Sequence, residues 1–297
     1  MTRAFDFRFP LYCGPFEFDV HWLKKCEPEG INAGDFIYFK NEYTKSTAPI
    51  IKIEIYDEIK NLSIPPDDVF VLSKNWRVWK LNSVHILQVW SEVIEQFTIE
   101  AHIQNDFQSV QIYCLNLHPK KDYLPFLLST ILRWITSHIA ILNGGFMLHG
   151  AAIMQTNKKV FLGVGSTGAG KTTLSRFLNK SIHFKVLTDE TSLIIKNKNT
   201  FYAYGTPWHG ELGKACNAGG KVKAVLFLEK EKVNGLVAVN STESTLRLMK
   251  EVFLAPWNKE YTEKILDSVI EFTKFIDQFK FEFQKSKSVI SFLEEKL

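Results

Sequence analysis

Hydrophobic and polar residues alternate along the first part of the chain. Ile51, Ile53 and Ile55 are separated by Lys52, Glu54 and Tyr56, the two-residue period of a strand with one buried face. Similar short runs, aromatic or β-branched, occupy 35–39, 69–72, 77–80, 85–90, 97–102 and 110–115. Turn-forming residues such as Pro65-Pro66-Asp67-Asp68 and Lys74-Asn75 separate them. This pattern predicts a mostly antiparallel sheet, with no internal repeat or low-complexity segment.

The period changes near residue 123. Residues 123–142 have the length and apolar content of a helix, which stops at Asn143-Gly144-Gly145. Strands are predicted at 146–153 and 159–164 around an Asn157-centred turn, followed by a glycine-rich loop and a helix over 171–178. A short strand at 184–188 precedes a hairpin, 192–196 with 200–204, across Asn197-Lys198-Asn199. Further strands are predicted at 223–228, 236–239 and 279–283, and helices at 242–254, 259–275 and 288–297. The expected fold class is therefore mixed α/β (α+β). A β-rich part over 1–120 leads into an α/β domain over 121–297; no Pro/Ser linker separates them, so the two could share a core.

Composition narrows the classes. With 297 residues, 45% hydrophobic and 23% charged, the chain can bury a sizeable core and is not a disordered type. Its net charge of +4 is too small for a bulk nucleic-acid binder. The densest basic run, 221–232, is interrupted by Glu229 and Glu231 and reads as a solvated surface. Cys13, Cys26, Cys114 and Cys216 lie far apart without a CxxC pair, which gives no support to a zinc or redox site and fits idle thiols in a reducing cytosol. The most apolar stretch, 124–142, carries Pro125, Arg133 and His138; a mid-span charge is costly in lipid, so a buried helix is expected rather than a membrane span. The expected location is cytoplasmic, with neither nucleic acid nor membrane as partner.

The chemistry concentrates between residues 165 and 173. Gly165, Ser166, Thr167, Gly168, Ala169, Gly170, Lys171 and Thr172 fit G-x-x-x-x-G-K-[ST] in full, with Thr173 following. Glycines let successive backbone N–H groups turn inward around a polyphosphate without a Cβ clash. Lys171 can meet the β- and γ-phosphates, Thr172 can offer its hydroxyl to Mg²⁺, and the following helix presents its positive end. An apolar strand enters the loop and a helix leaves it, the context that the motif requires. ATP with Mg²⁺ is the expected ligand pair. A metal-dependent site also needs an acidic partner, and Asp189-Glu190, at the end of a short strand, is the nearest. One carboxylate could accept a hydroxyl proton while the other holds Mg²⁺.

The order Leu148-His149-Gly150-Ala151, then the 165–174 loop, then Thr188-Asp189-Glu190 resembles the HPr kinase/phosphorylase family and its relatives. Those relatives include lasso-peptide-type tailoring kinases, and the wider fold group includes ATP-dependent phosphoenolpyruvate carboxykinase. The resemblance runs from about 121 to about 255 and implies a P-loop core of that type. By resemblance, His149 lies near the phosphates, Lys171 and Thr172 bind phosphate and metal, Asp189 is the catalytic base and Glu190 meets the metal. Asp189 is also a candidate metal ligand. Gly205-Thr206-Pro207-Trp208-His209-Gly210-Glu211 resembles a segment common among these relatives, which makes Trp208, His209 and Glu211 candidate substrate or phosphate contacts; a packed loop with Trp208 in the core is an equal reading.

Two departures shape the expected function. HPr kinases proper carry Glu where this chain has Thr173, and their downstream Arg-bearing loop has no counterpart, which weighs against HPr as substrate and against a phosphorylase reaction. The resemblance implies a kinase that transfers the γ-phosphoryl group to a serine-type hydroxyl of a peptide or small protein. The alternatives are a non-catalytic nucleotide-dependent peptide-binding or regulatory module, a nucleotidyl transferase, and a small-molecule hydroxyl kinase. HPr kinases form hexamers, so a homo-oligomer is a candidate state, although nothing else in the sequence points to one. His21, His85, His102, His118, His138 and His183 have no motif behind them and are expected to be structural.

Overall fold

The computed structural model describes residues 5–24, 39, 50–56, 62–91, 95–114, 123–213 and 215–296. The chain divides into two compact units, residues 1–135 and 136–297. The architecture is mixed α/β and strand-rich, with two eight-stranded sheets and five helices among the described residues.

In the first unit, strands β1 (Phe5–Cys13), β2 (Phe16–Lys24), β3 (Ile51–Tyr56), β4 (Phe70–Ser73), β5 (Trp76–Leu81), β6 (Val84–Ser91), β7 (Gln96–Gln104) and β8 (Ser109–Cys114) form one sheet. Their order is β1-β2-β3-β8-β7-β6-β5-β4. The predicted antiparallel character holds at most neighbours, but β3 runs parallel to both β2 and β8. The strand read over 35–39 lies outside the described residues except for Phe39, which is buried. The alternation read at 51–55 is observed: Ile51, Ile53 and Ile55 are buried, together with Val78, Leu87, Ala101, Ile103, Val110 and Ile112 from neighbouring strands.

Another row of this sheet is polar. The register aligns Arg77 with Gln88 and Gln88 with Glu100. Glu100 is almost completely buried, and its carboxylate accepts from the Ser63 amide at 2.7 Å, the Ser63 hydroxyl at 2.6 Å, Gln88 Nε2 at 2.5 Å and His102 Nε2 at 2.5 Å. Gln88 also donates to the Ser63 carbonyl and accepts from Arg77 Nε. These bonds fasten the segment around Ser63 to the sheet. A buried carboxylate is tolerated because its oxygens are supplied with donors.

The second unit contains the C-terminal part of helix α1 (Tyr123–Leu142), within which the division between units falls. Its sheet comprises β9 (Phe146–Gln155), β10 (Lys159–Val164), β11 (Phe184–Thr188), β12 (Thr191–Asn197), β13 (Thr200–Gly205), β14 (Gly219–Lys230), β15 (Gly235–Ala238) and β16 (Asp277–Phe283). Pairing follows β10-β9-β12-β13-β14-β16-β15, with β11 beside β9. A further parallel pairing of β10 with β14 closes the path β10-β9-β12-β13-β14 on itself. Helix α2 (Lys171–Leu178) places Leu174 and Leu178 in a core shared with Ala151, Ile153, Leu226, Leu228, Phe281 and Phe283, and helix α5 (Ser288–Lys296) adds Val289 and Leu293. Elsewhere in this unit the Phe272 ring of helix α4 (Lys259–Phe275) meets Phe146 and Phe201 edge-on, at 5.4 and 5.1 Å between centroids.

Helix α3 (Ser241–Leu248) starts where Asn240 caps it, its side chain accepting from the Glu243 amide. It ends earlier than the 242–254 pattern predicts. Beyond Met249 the backbone turns to pair with β9: the His149 amide donates to the Glu251 carbonyl at 2.7 Å, the Phe253 amide to the Met147 carbonyl at 3.0 Å, and Leu148 bridges Val252. Tertiary hydrogen bonding to a strand therefore overrides helical periodicity here. Among the described residues, no helix is long and apolar enough to cross a membrane.

Burial alone would raise the Glu100 pKa, but the hydrogen bonds from His102, Ser63 and Gln88 outweigh it and hold the group down to about 2. A depressed carboxylate pKa contributes stability above the unfolded-state value, and that stability is lost as pH falls toward the folded value. The first unit is therefore expected to lose stability between its ordinary carboxylate range and about pH 2, as followed by circular dichroism. Glu100→Gln should remove most of this acid dependence and cost about 2–3 kcal/mol at neutral pH; an unchanged acid transition would overturn the assignment.

Candidate functional site

Strand β10 ends at Val164, and the chain wraps through residues 165–170 before entering α2. Helix α2 has no side-chain cap and no acidic residue in its first turn. Its N-terminal amides are thus left for another acceptor, and its positive end faces that same region. Gly170 is the N-cap, with φ of 114°. A Cβ there would stand 2.6 Å from the Phe283 ring, so both the backbone angle and the packing require glycine at this position.

A cleft of about 380 Å³ opens over this loop. Ser166, Thr167, Gly168, Gly170, Lys171, Thr172 and Thr173 line it on one side; His149, Asp189, Glu190, Gly210, Glu211 and Lys230 complete it. Of the predicted loop residues, only Gly165 and Ala169 do not line the cleft. They support it from behind: a Cβ on Gly165 would lie 2.7 Å from that of Ala169, and the Ala169 amide donates to the Ser166 carbonyl. His149 reaches the cleft from β9, opposite Thr191 in register.

Lys171 is buried and its ammonium folds back on the loop. It donates to the Gly165 carbonyl and lies 3.5 Å from the Ser166 carbonyl. Burial pushes its pKa below the ordinary lysine value, while the negative charges of Glu251 and Glu190 oppose that shift.

The acidic pair follows β11. Asp189 is almost fully buried; its Oδ1 accepts from the Gly210 amide and its Oδ2 from the Leu212 amide, both at 2.9 Å. The loop can come this close because residue 210 is glycine: a Cβ there would stand 2.9 Å from Asp189 Oδ2 and 3.0 Å from Glu190 Oε2. Thr188 also anchors the strand end, bridging Ala215 through its backbone and donating to the Trp208 carbonyl from its hydroxyl. Both Asp189 oxygens retain a second lone pair for a ligand.

The 205–211 segment divides. Trp208 is buried and does not line the cleft. His209 is half-buried, donates from Nδ1 to the Gly210 carbonyl at 2.8 Å, and also stands outside the cleft lining. Glu211 does line it, on the exposed rim, 3.9 Å from Arg176. Sequence reasoning missed two groups, Lys230 in the cleft wall and Glu251 in the electrostatic surroundings of Lys171. Ala224, Leu226 and Leu228 share the core beneath α2, and the two-residue period puts residue 230 on the same strand face; because 224–228 are all apolar, the sequence shows no alternation that marks it.

Gly170→Ala is expected to destabilise the second unit by about 2 kcal/mol or more, because positive φ and the Phe283 contact act together. Chemical denaturation would measure this, and a neutral substitution would contradict the packing described here.

A family model, SynChlorMet cassette protein ScmC, matches residues 113–281. The match covers every residue of the cleft. No curated protein matches the chain. Since the family match spans more than half of the 297 residues, the chain belongs to the ScmC family of SynChlorMet cassette proteins.

Proposed function

We propose that this chain is an ATP-dependent kinase with a core of the HPr-kinase type, transferring the γ-phosphoryl group to a serine-type hydroxyl of a peptide or small protein. Its main support is the gathering of the 166–173 loop, His149 and the Asp189-Glu190 pair around one cleft. Residues far apart in sequence converge there in the combination that phosphoryl transfer uses: backbone amides and a lysine for the phosphates, and carboxylates beside them.

In this reaction the loop amides and the α2 N-terminus bind the polyphosphate. Lys171 exchanges its loop carbonyl for a phosphate oxygen. Asp189, held by two amides, aligns the acceptor hydroxyl and takes its proton as the oxygen attacks the terminal phosphorus. The bond from that phosphorus to the ADP oxygen breaks, leaving ADP and the phosphorylated hydroxyl. His149 stands where it can contact the phosphates.

The donor set fits Mg²⁺. Thr172 offers a hydroxyl and Glu190 a carboxylate on the same cleft, and Mg²⁺ commonly takes one or two protein oxygens together with phosphate and water. Among the described residues no group of three or more His, Cys, Asp or Glu is arranged to hold a metal, so these protein oxygens would share the ion with phosphate. Asp189 already accepts two amide hydrogens, which leaves Glu190 as the stronger metal candidate. The ion supplies charge neutralisation along the polyphosphate.

One observation favours a second reading. An aspartate that caps two amides can be purely structural, as in a regulatory module that binds nucleotide and docks a peptide without transferring anything. Intact-mass spectrometry separates the two, using purified protein, ATP, Mg²⁺ and the small peptides or proteins encoded beside its gene. The expected result is a gain of one or more phosphates on an acceptor. Lys171→Ala should lose it through weakened ATP binding, and Asp189→Asn should lose it by about 10²–10⁴-fold with ATP still bound. Asp189→Asn should also loosen the 209–212 loop by about 1–3 kcal/mol, since an amide NH₂ then faces a backbone N–H. ATP binding without mass gain on any acceptor would favour the regulatory module, and an AMP-sized gain a nucleotidyl transferase.

A further inference from the structure

We infer that Lys230 is a second phosphate-binding cation of the cleft, acting beside Lys171. This inference rests on the nucleotide-binding part of the function proposed above.

Lys230 is the last residue of β14, which runs parallel to β10. Val164, the end of β10, is level with Phe227, so Lys230 extends about 10 Å further along the strand direction, beside the loop rather than beneath it. Leu226 and Leu228 face the core that α2 covers. By the two-residue period Lys230 has the same facing, at the α2 N-terminal end. Glu229 faces the other way, where it pairs with Arg247. Lys230 also pairs in register with Phe283, whose ring abuts Gly170. The Lys230 Cε lies 3.5 Å from where a Gly170 Cβ would stand, so its stem lies against the loop and its ammonium borders the cleft.

Its place sets this lysine apart: exposed lysines such as Lys221 and Lys232 also lack a side-chain partner among the described residues, but Lys230 lines the cleft. Near it Arg247 pairs with Glu229, and Lys280 with Glu229 and Glu282. The Lys230 side chain has no hydrogen-bond or ion-pair partner among the described residues. Lys171, by contrast, is buried and already bonded to the loop. An exposed cation with its stem packed on a glycine of the loop, and with no carboxylate neutralising it, is suited to an anion that spans the cleft. A polyphosphate satisfies both lysines; a single phosphate group on the loop amides would not need the second.

The test is equilibrium binding of ATP and AMP by isothermal titration calorimetry to wild type, Lys230→Ala, Lys230→Gln and Lys230→Arg, with thermal unfolding of each apo protein alongside. Lys230→Ala and Lys230→Gln should weaken ATP by about tenfold or more while leaving AMP within about twofold. Lys230→Arg, which keeps the charge, should bind ATP within about threefold of wild type. Unfolding temperatures should not change, because the side chain is exposed and has no partner among the described residues to lose. Wild-type binding that survives both neutral variants unchanged, or a loss equal for ATP and AMP, overturns the inference and leaves the functional proposal standing. A wild-type protein that binds no nucleotide overturns both.

Discussion

The amides of Gly210 and Leu212 close on the two oxygens of Asp189, each at 2.9 Å, and tie the end of β11 to a loop 21 and 23 residues further along. The side of the cleft formed by Asp189, Glu190, Gly210 and Glu211 depends on this pair of bonds. Without them a buried carboxylate would lack donors, and the loop would lose the acceptors that orient it. Because the loop is drawn in, Gly210 and Glu211 line the cleft beside Asp189 and Glu190. The side chain at 210 must be absent for the loop to approach, so this glycine of the 205–211 segment is as necessary as the carboxylate it meets.

The same geometry explains why the two halves of the 205–211 segment have different roles. Trp208 packs inward and its carbonyl accepts the Thr188 hydroxyl, which fixes the loop from the core side. Glu211 stays exposed on the rim, 3.9 Å from Arg176. Sequence reasoning gave the packed-loop and ligand-contact readings equal standing, and the structure divides them by residue: Trp208 belongs to the core, while Gly210 and Glu211 belong to the cleft.

What could be read in the sequence was local. The loop at 165–172 and its flanking strand and helix follow from glycine spacing and hydrophobic period, and the hairpin across Asn197-Lys198-Asn199 follows from turn chemistry, with Lys198 at a φ of 54°. Asp189 and Glu190 were found because short strands end where sites gather. What could not be read depends on pairing between distant strands. The parallel alignment of β10 with β14 brings Lys230 to the loop, but period alone cannot reveal which strand is the neighbour. In the 221–232 run the alternating charges suggest a solvated surface; the structure directs Glu229 and Lys230 to opposite faces. The early end of α3 has the same origin, because the amides and carbonyls of 251–253 serve β9. The Glu100 network was also hidden, since Ser63, Gln88 and His102 come together only through sheet register.

The charges of the cleft bear on the order of events under the proposed reaction. Lys171 is held by its own loop carbonyl, with Glu190 and Glu251 favouring its charged form against burial. A ligand must therefore offer the ammonium more than a neutral carbonyl does, and an anionic phosphate oxygen can. Glu190 would face the converse problem, since a polyanion beside a carboxylate is unfavourable, and a divalent cation held there would supply the neutralising charge. By the inference above, Lys230, whose side chain has no partner among the described residues, would attract the phosphates before either rearrangement. Under the proposed reaction, a cleft lined by both carboxylates and lysines would suit a ligand that carries both signs itself, a polyphosphate together with its metal.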